Sequence, residues 1–416
     1  MTVITPAETT EPAVADAEDI QATETGSRWI SKEAVLVKSL LCALQALHAN
    51  YIKSRNFMTL SQIQCRWGIL SAAGIARKNW RAIAQSSSGS VVAVASRRKD
   101  AAEQFIRECS HHTPQRTSVD AHDSYEALLK RTDIDAVYIP LPTGLRKEWI
   151  IAAAKQGKHV LAEKPAALSA ADLEEILDVC KAQGVQFMDG VMFMHSARLD
   201  RLRETLMSPS QIGDIRRIAC QFSFNGGDDF GKSNIRVNSQ LEPFGCLGDL
   251  GWYCIRFLLW AHQYAMPTRV VGRTLSTLQG EGSNNKVPGE FSAELDFPNG
   301  STASFYCSFI TQNQQWAHIS GTEGYAHLDD FVLPFFGSEV SYDVCQPRFD
   351  VRGCSFHMQQ HKQRIAVEEY DSGHAPAQEI NMIETFQSIV ASKTLDPSWG
   401  DICLKTQRVM DSLWKS

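Results

Sequence analysis

A short turn and a pair of arginines further along the chain have the chemistry of a phosphate-binding site. The turn is the segment Ser71-Ala72-Ala73-Gly74-Ile75-Ala76, which follows an apolar run and precedes a helical pattern. Small side chains at positions 71, 73 and 76 let the backbone approach a pyrophosphate, while the N-terminus of the helix supplies N–H donors. We assign Ser71, Ala73, Gly74, Ile75 and Ala76 to this site; an ordinary tight turn between a strand and a helix is the alternative.

The arginines occur in Ser96-Arg97-Arg98, at the end of the second apolar run. Dinucleotide-binding folds place an acidic residue here to bind the adenosine ribose. A carboxylate would accept the ribose hydroxyl and repel a phosphate, whereas a hydroxyl followed by guanidinium groups can hold a 2′-phosphate. The segment therefore favours NADP as cofactor, with NAD possible. The alternative is that Arg97 and Arg98 are solvated cations of a loop.

A lysine at the end of a buried strand is the third candidate for chemistry. Lys164 follows the apolar run 159–162 and precedes Pro165. The carboxyl ends of parallel strands face the crevice where ligands bind. An ammonium group there can polarise a carbonyl oxygen and lower the pKa of a neighbouring phenol from about 10 toward working pH. An exposed lysine at a strand end is the alternative.

A doubly wound α/β domain would position these residues. Apolar runs alternate with helical segments, and each run is apolar at consecutive positions, as expected for strands covered on both faces. The segment 169–183 begins Ser-Ala-Ala-Asp, which predicts a helix cap. The predicted strands are 67–70, 91–95, 136–141, 159–162 and 185–188, and the predicted crossover helices are 99–108, 124–130, 146–156 and 169–183.

The pattern changes after residue 190. Apolar and polar residues alternate from 291 to 297 and again from 303 to 309, on either side of Pro298-Asn299-Gly300, which predicts an antiparallel hairpin in an open sheet. Its apolar face must cover either a helix layer or another subunit. The predicted organisation is an acidic disordered tail (1–27), an amphipathic helical extension (28–57), the Rossmann domain (58–190), an α+β domain (191–377) and C-terminal helices that pack back on the Rossmann domain (378–416).

Composition excludes several classes of function. The 416 residues are 44% hydrophobic and 21% charged. Residues 1–27 hold six acids and no base, and the rest carries 41 acidic and 41 basic residues, without the surplus of cations expected for binding nucleic acid or anionic membranes. The eleven cysteines include no C-x-x-C pair, which favours reduced thiols, a cytoplasmic location and no metal site. The apolar stretch within 28–56 is too short and too interrupted to span a membrane.

Three motifs carry a resemblance to a known family. They are the run from Asp123-Ser-Tyr-Glu to Asp135-Ala-Val-Tyr-Ile-Pro, the segment Gly157-Lys-His-Val-Leu-Ala-Glu-Lys-Pro, and Gly248-Asp-Leu-Gly-Trp-Tyr-Cys-Ile-Arg. From about residue 66 to the C-terminus the chain resembles the glucose-fructose oxidoreductase and inositol dehydrogenase family, Gfo/Idh/MocA. The third motif is similar to the branch that contains dihydrodiol and xylose dehydrogenases.

The resemblance implies hydride transfer between NAD(P) and a carbon that bears oxygen. It places Lys164 beside the nicotinamide and the substrate hydroxyl, with Pro165 after a cis peptide bond. It makes Tyr253 the proton donor and acceptor, and Asp249 the residue that orients substrate hydroxyls. Two alternatives come from helical spacing: Tyr253 can belong to an apolar core stripe, and Asp249 can be a helix N-cap.

The remaining candidates also follow from the resemblance. Thr143 and Arg146 stand where relatives commonly carry Asn and His, so contacts in that loop are expected to differ. The side chain of His195 is a weaker candidate than Arg198 for contact with substrate. The further cofactor-binding candidates are Pro140, Pro142, Thr143, Arg146 and Glu163, and the further substrate-binding candidates are Arg198 and Arg236.

The sequence therefore predicts an NADP-dependent oxidoreductase acting on a CH–OH or C=O carbon of a sugar, polyol or vicinal diol. One alternative retains its cofactor and recycles it between two sugars. Another is a non-catalytic NADP-sensing protein, because the same fold also occurs in regulators. The resemblance further implies a homo-oligomer, dimer or tetramer, formed through the open face of the C-terminal sheet.

Overall fold

The computed structural model describes residues 65–416. The predicted acidic tail and helical extension lie outside these described residues. Two lobes make up the described part, each built on one large sheet.

The first lobe is a six-stranded parallel sheet in the order β3-β2-β1-β4-β5-β6, which confirms the predicted doubly wound fold. All seven residues of β2 and all four of β4 are buried, because helices cover both faces of the sheet. The sequence did not predict β3, whose three residues are exposed or half-buried and give no apolar run. The strands are β1 (Cys65–Leu70), β2 (Gly89–Ala95), β3 (Asp120–His122), β4 (Ala136–Ile139), β5 (His159–Ala162) and β6 (Phe187–Asp189).

Five helices connect these strands. The predicted cap of the last is present, because the Ser169 hydroxyl accepts a hydrogen bond of 3.1 Å from the backbone N–H of Asp172. The fourth begins at Thr143 rather than at residue 146, directly after Pro142. The helices are α1 (Ala76–Gln85), α2 (Lys99–His112), α3 (Tyr125–Leu129), α4 (Thr143–Lys155) and α5 (Ala170–Ala182).

The second lobe is a mixed, mostly antiparallel nine-stranded sheet, in the order β17-β14-β13-β12-β7-β10-β9-β8, with β11 beside β7. The predicted hairpin is β9 and β10, paired with Phe291 opposite Cys307 and Leu295 opposite Ala303. Its strands are β7 (Ile215–Asn225), β8 (Arg269–Leu278), β9 (Val287–Asp296), β10 (Thr302–Ser308), β11 (Ile310–Gln314), β12 (Ala317–Gly321), β13 (Tyr325–Leu328), β14 (Glu339–Cys345) and β17 (Lys362–Glu368). Between the last two, β15 (Arg348–Arg352) and β16 (Ser355–Gln359) form a separate two-stranded ribbon.

The apolar face of this hairpin is covered within the chain. Phe291, Leu295 and Phe305 are each at most 2% exposed, and Gly251 packs so closely that a Cβ there would lie 3.4 Å from Phe305. The sequence allowed either a helix layer or another subunit to cover this face, and the structure shows the helix layer. The opposite face is polar: Arg217 donates to Thr302 and Ser304 across it.

The helices of the second part of the chain join the two sheets. A single π-helical turn, Leu247–Gly251, leads directly into the buried helix α8. The C-terminal helices contact the first lobe, where Gln387 accepts from Ser88 and Asp411 accepts from the N–H of Ala170. These helices are α6 (Ala197–Leu206), α7 (Gly227–Ser233), α8 (Trp252–Ala261), α9 (Gln378–Ser392) and α10 (Ser398–Lys415), with 3₁₀ turns at Met192–His195 and Ile235–Val237.

Candidate active site

Lys164 meets Asp249 at the junction of the two lobes. Lys164 follows β5, at the carboxyl end of the parallel sheet, and its peptide bond to Pro165 is cis, as the resemblance implied. Its ammonium donates to the backbone carbonyl of Asp249 at 2.6 Å and to the carboxylate Oδ1 at 2.8 Å. Both groups are largely buried: the side chain of Lys164 is 7% exposed and that of Asp249 18%. Lys164 is therefore not an exposed lysine at a strand end, and Asp249 is not a helix N-cap.

Arg236 completes this cluster from the 3₁₀ turn Ile235–Val237. Its Nε donates to the second carboxylate oxygen of Asp249 at 2.7 Å, and its side chain is 38% exposed. Burial alone would raise the pKa of Asp249, but the charges of Lys164 and Arg236 lower that pKa to about 2. The carboxylate is therefore ionised at every physiological pH.

Tyr253 lies beside the ammonium group, but its hydroxyl points elsewhere. The Nζ of Lys164 lies 4.6 Å from the centroid of the Tyr253 ring, over its face. The phenol O–H donates to the sulfur of Met192 at 3.9 Å. Burial, followed by the negative charges of Glu163 and Asp249, raises the pKa of Tyr253 well above its ordinary value. The expectation that Lys164 lowers this pKa was wrong, because the ammonium faces the ring and is paired with Asp249.

Glu163 is held by a tyrosine of the neighbouring strand. The hydroxyl of Tyr138, which belongs to β4 and is fully buried, donates to Oε1 of Glu163 at 2.7 Å. The sequence did not indicate this contact, although both residues occupy the carboxyl-end half of adjacent strands, where side chains meet.

Thr143 and Arg146 bind the second lobe through Glu242. The backbone N–H and the hydroxyl of Thr143 donate to the two oxygens of Glu242, at 3.0 and 2.6 Å. The buried guanidinium of Arg146 donates to the Thr143 hydroxyl at 2.8 Å and to the carbonyl of Pro165. These two residues therefore fix the loop that carries Lys164. Glu242 was missed because no local pattern links it to residues 99 positions away in the sequence.

The turn after β1 has the properties that a dinucleotide phosphate requires. Within residues 65–416, the backbone N–H groups of Gly74 and Ile75 donate to no protein acceptor, and both residues are exposed at the N-terminus of α1. Arg97 and Arg98, after β2, are also exposed, and the Nε of Arg98 lies 3.5 Å from the carboxylate Oδ1 of Asp100. Free N–H groups and exposed guanidinium groups at the same edge of the sheet fit a phosphate-bearing ligand. Of the other cofactor candidates, Ser96 and Pro142 are half-buried and Pro140 is buried.

Arg198 and His195 lie in a different environment from Lys164. The guanidinium of Arg198 is 1% exposed and pairs with the carboxylate and the carbonyl of Asp330. Its described hydrogen bonds do not reach Lys164, Asp249 or Tyr253. The ring of His195 stacks on Trp399 with centroids 4.6 Å apart, and burial lowers the pKa of His195 to about 3.

A buried ion pair behind the site holds α8 in place, and no local sequence pattern indicated it. Arg256 donates to the carboxylate of Asp189 at 2.6 Å and to the hydroxyl of Thr406 at 2.8 Å, and both charged side chains are fully buried. Asp189 ends β6, so this pair ties the helix that carries Tyr253 to the parallel sheet.

Among residues 65–416, no group of acidic, histidine or cysteine side chains is arranged to hold a metal ion. None of the helices in this range combines the length and the apolar character of a membrane span.

The fold and the site define a two-lobed protein with a dinucleotide-type sheet and a buried lysine–aspartate–tyrosine cluster between the lobes. Residues 65–191 match the model described as the oxidoreductase family with NAD-binding Rossmann fold, GFO_IDH_MocA, and residues 201–327 match the GFO/IDH/MocA C-terminal domain. The chain belongs to this oxidoreductase family, as the sequence resemblance indicated.

Proteins of known activity resemble the chain over most of its described length. It is 33% identical over 281 residues to D-xylose 1-dehydrogenase (NADP(+)) 2 of Haloferax volcanii, covering 66% of this chain and 80% of the relative. It is 32% identical over 274 residues to trans-1,2-dihydrobenzene-1,2-diol dehydrogenase of Mus musculus, covering 65% and 76%. A crystal structure of a 3-ketoreductase from Actinomadura kijaniata, in complex with TDP-benzene and NADP, superposes with a TM-score of 0.70 at 25% identity, covering 85% and 97%.

Replacing Ser71 by glycine should stabilise the protein. Ser71 has a φ of 133°, in a region that side chains other than glycine rarely adopt. Relief of about 1–3 kcal/mol of strain outweighs the roughly 0.5–1 kcal/mol of backbone entropy that glycine costs. Chemical denaturation should show a free energy of unfolding higher by about 1 kcal/mol. Ala72→Gly, at the next residue, is the control and should be destabilising. A lower free energy of unfolding in Ser71→Gly would contradict the backbone strain inferred at Ser71.

Asp249→Asn should change the acid stability of the protein. The folded pKa of Asp249 is about 2, below the ordinary 3.8, so its ionised form stabilises the fold above pH 5 and that contribution disappears as the pH falls toward 2. The gap in unfolding free energy between wild type and Asp249→Asn should narrow by roughly 2 kcal/mol over this range. Urea denaturation at several pH values measures the gap, with exposed Asp178→Asn as control; a constant gap for Asp249→Asn would contradict the pairing.

Proposed function

We propose that this chain is an NADP-dependent oxidoreductase that interconverts CH–OH and C=O at one carbon of a sugar, polyol or vicinal diol. Membership of the family supplies the reaction class, oxidoreduction at CH–OH groups. The cluster in which the Lys164 ammonium lies between the Asp249 carboxylate and the face of the Tyr253 ring is the observation that carries the proposal. Relatives named for NADP(+), a pentose and a dihydrodiol support the cofactor and the substrate class.

The phosphates of the cofactor are assigned to the first lobe. The N–H groups of Gly74 and Ile75, which have no acceptor within the described residues, would hold the pyrophosphate. Ser96, Arg97 and Arg98 would hold the 2′-phosphate. When bound, the nicotinamide supplies or accepts the hydride. Pro140, Pro142 and Glu163 line the carboxyl edge of the same sheet and remain candidates for contact with the cofactor. Thr143 and Arg146 act through the Glu242 contact that fixes the loop.

Lys164 is the group proposed to polarise the substrate oxygen. An ammonium has three N–H donors, and two of them are used by the carbonyl and the carboxylate of Asp249. The third has no acceptor within residues 65–416 and is therefore available to a substrate carbonyl or hydroxyl. Because Lys164 is 7% exposed, a developing oxygen charge beside it would be stabilised more strongly than in water.

Tyr253 is the proposed proton donor in the reducing direction. Its raised pKa keeps the phenol protonated at neutral pH, which suits proton donation to the oxygen of the reduced carbon. Its present acceptor, the Met192 sulfur at 3.9 Å, is a weak one. A substrate oxygen would therefore compete well for this O–H.

Asp249 and Arg236 are proposed to orient the other hydroxyl groups of the substrate. Each carboxylate oxygen keeps a lone pair after its bond to Lys164 or Arg236. Among residues 65–416, the Nη1 and Nη2 atoms of Arg236 have no partner, so this fork can donate to substrate oxygens. Arg198 remains a candidate for contact with substrate from the second lobe. Its guanidinium would first have to leave its pairing with Asp330.

The proposal extends to the setting of the enzyme. The ten cysteines of the described residues form no disulfide, which supports a reducing, cytoplasmic location. We also retain the homo-oligomer that the family resemblance implied.

An absorbance screen with NADPH and NADH, in both directions, over aldoses, polyols and vicinal diols tests the proposal as a whole. Turnover with NADP(H) and at least one of these substrates is expected. Binding of NADPH without turnover of any member of the panel would overturn the proposed reaction.

Lys164→Met should strongly lower the turnover rate while leaving NADPH affinity nearly unchanged. The substitution removes the group that polarises the substrate oxygen but no atom assigned to the phosphates, so the rate should fall by about 100-fold or more. Steady-state kinetics and fluorescence titration with NADPH measure the two effects. Lys147→Met is the matched control, because within residues 65–416 Lys147 pairs only with Asp172 and Glu175 on the surface. Unchanged turnover in Lys164→Met would remove the assignment.

Arg97→Ala combined with Arg98→Ala should weaken NADPH binding far more than NADH binding. Loss of charge-assisted hydrogen bonds to the 2′-phosphate costs about 1.5–3 kcal/mol each, so the Kd for NADPH should rise at least about 10-fold. Fluorescence titrations with both nucleotides measure the difference. Arg107→Ala, an exposed arginine of α2, is the control; an equal loss for both nucleotides would contradict recognition of the phosphate.

A further inference from the structure

One segment of the second lobe is fixed to that lobe at both ends and contacts the first lobe in between. We call this segment, residues 236–245, the strap. Near its start, Val237 accepts a backbone hydrogen bond of 3.0 Å from Gly280. At its end, Gly245 packs so closely on Pro288 that a Cβ there would lie 2.3 Å from the Pro288 carbonyl oxygen. The strap is therefore held in a defined path across the junction of the lobes.

The middle of the strap contacts the N-terminus of α4. The carboxylate of Glu242 accepts from the N–H and the hydroxyl of Thr143, and its Oε1 lies 3.8 Å from Nη2 of Arg146. The backbone N–H of Gly144 donates to the carbonyl of Leu241 at 3.0 Å. A carboxylate at the N-terminus of a helix is stabilised by the N–H groups there and by the helix dipole. Glu242 therefore supplies the charge that binds the strap to the first lobe.

The first residue of the strap contacts the end of the neighbouring strand. Arg236 donates to Asp249 at 2.7 Å, and Asp249 accepts from Lys164, which follows β5. The loop before Thr143 follows β4, the strand next to β5. The strap thus passes the carboxyl ends of two adjacent strands, and ligands bind outside such ends in parallel sheets.

The order of the strands determines which half of a dinucleotide would lie beneath the strap. The proposed pyrophosphate site follows β1, and the proposed 2′-phosphate site follows β2, on the side of β1 that faces away from β4. Lys164, which would meet the nicotinamide end, follows β5, about 10 Å from β1. The nicotinamide half would therefore pass the ends of β4 and β5, where the strap lies, and the adenosine half would lie outside the strap.

We propose that the strap closes over the nicotinamide half of bound NADP(H), and that Glu242 is the positioning residue that holds it closed and limits release of the nucleotide. This inference rests on the proposed NADP(H) site but not on the proposed reaction. Release requires the Glu242 carboxylate to leave the N-terminus of α4, which breaks charge-assisted hydrogen bonds to Thr143. A ligand that carries only the adenosine half needs no such opening.

Release of NADPH from the full chain tests the strap. Stopped-flow fluorescence after mixing the NADPH complex with excess NADP⁺ gives the dissociation rate. Glu242→Ala should raise this rate at least about 10-fold, and Glu242→Gln, which keeps one acceptor oxygen, should give an intermediate rate. Glu281→Ala, at an exposed glutamate of the same lobe, is the matched control and should release NADPH as wild type does. Equal dissociation rates in wild type and Glu242→Ala would overturn the proposal.

A methyl group at Gly144 tests the same contact without changing a charge. A Cβ at this position would lie 2.5 Å from the carbonyl oxygen of Gln240 in the strap, whereas alanine is more favourable than glycine within a helix. Gly144→Ala should therefore displace the strap, keep α4 intact and raise the NADPH dissociation rate. Gly231→Ala, where a Cβ would meet no atom within 4 Å, is the control. An unchanged rate in Gly144→Ala would contradict a closed strap.

The fragment 2′,5′-ADP separates the role of the strap from a general loss of structure. It carries the adenosine and the 2′-phosphate but no nicotinamide. Its Kd, measured by titration calorimetry, should be the same in wild type, Glu242→Ala and Gly144→Ala, because its site at β1 and β2 lies outside the strap. A loss of affinity for 2′,5′-ADP equal to the loss for NADPH would mean that the substitutions disturb the whole first lobe, and it would overturn the role assigned to Glu242.

Hydrogen exchange of the nucleotide-free protein gives a readout that needs neither nucleotide nor turnover. The amides of Thr143 and Gly144 donate to the strap, so a peptide that covers them should exchange faster in Glu242→Ala than in wild type. Equal exchange would overturn the strap. A protein without turnover that still shows the predicted release and exchange would refute the proposed reaction alone, and an active enzyme with equal NADPH release in both forms would refute the strap alone.

Discussion

The ion pair between the ammonium of Lys164 and the carboxylate of Asp249 is the interaction on which the rest of the site depends. Each charge comes from a different lobe, and each is largely buried. A buried charge without a partner destabilises a protein by several kcal/mol, so the end of β5 and the π-helical turn must stay in contact. The pair therefore fixes how the two lobes meet at the site, and it also determines which donors and acceptors face a substrate.

Two further contacts support this arrangement from either side. Glu242 of the second lobe accepts from Thr143, and Arg146 donates to the carbonyl of Pro165, so helix α4 connects the second lobe to the residue after Lys164. The π-helical turn itself places Asp249 one residue out of the α-helical register; such turns are frequent at functional sites. Positioning the ammonium group thus involves backbone geometry as well as charge.

Much of this structure could be predicted from the sequence, for identifiable reasons. Uninterrupted apolar runs predicted the parallel strands, because those strands are buried on both faces. Strict alternation of apolar and polar residues predicted the β9–β10 hairpin, because that hairpin is buried on one face only. Lys164 was recognisable because it ends such a run. Glu242 was not, because its partner Thr143 is distant in sequence. The raised pKa of Tyr253 was also missed, because the burial and the nearby carboxylates that raise it depend on the tertiary structure.

Alternation alone does not tell a core hairpin from an exposed one. Phe349 and Val351 alternate with polar residues as Phe291 and Leu295 do, yet the first pair is exposed and the second is buried. The difference lies in what the rest of the chain places above each ribbon, which is a property of the tertiary structure.

A crystal structure of the NADP complex with a polyol or sugar bound is the most direct test of the active site proposed for this enzyme. A single substrate oxygen is expected within about 3.2 Å of both the Lys164 Nζ and the Tyr253 hydroxyl, with the hydroxyl released from Met192. A substrate bound away from Lys164, or a Tyr253 hydroxyl that stays on Met192 while the substrate occupies the site, would contradict it.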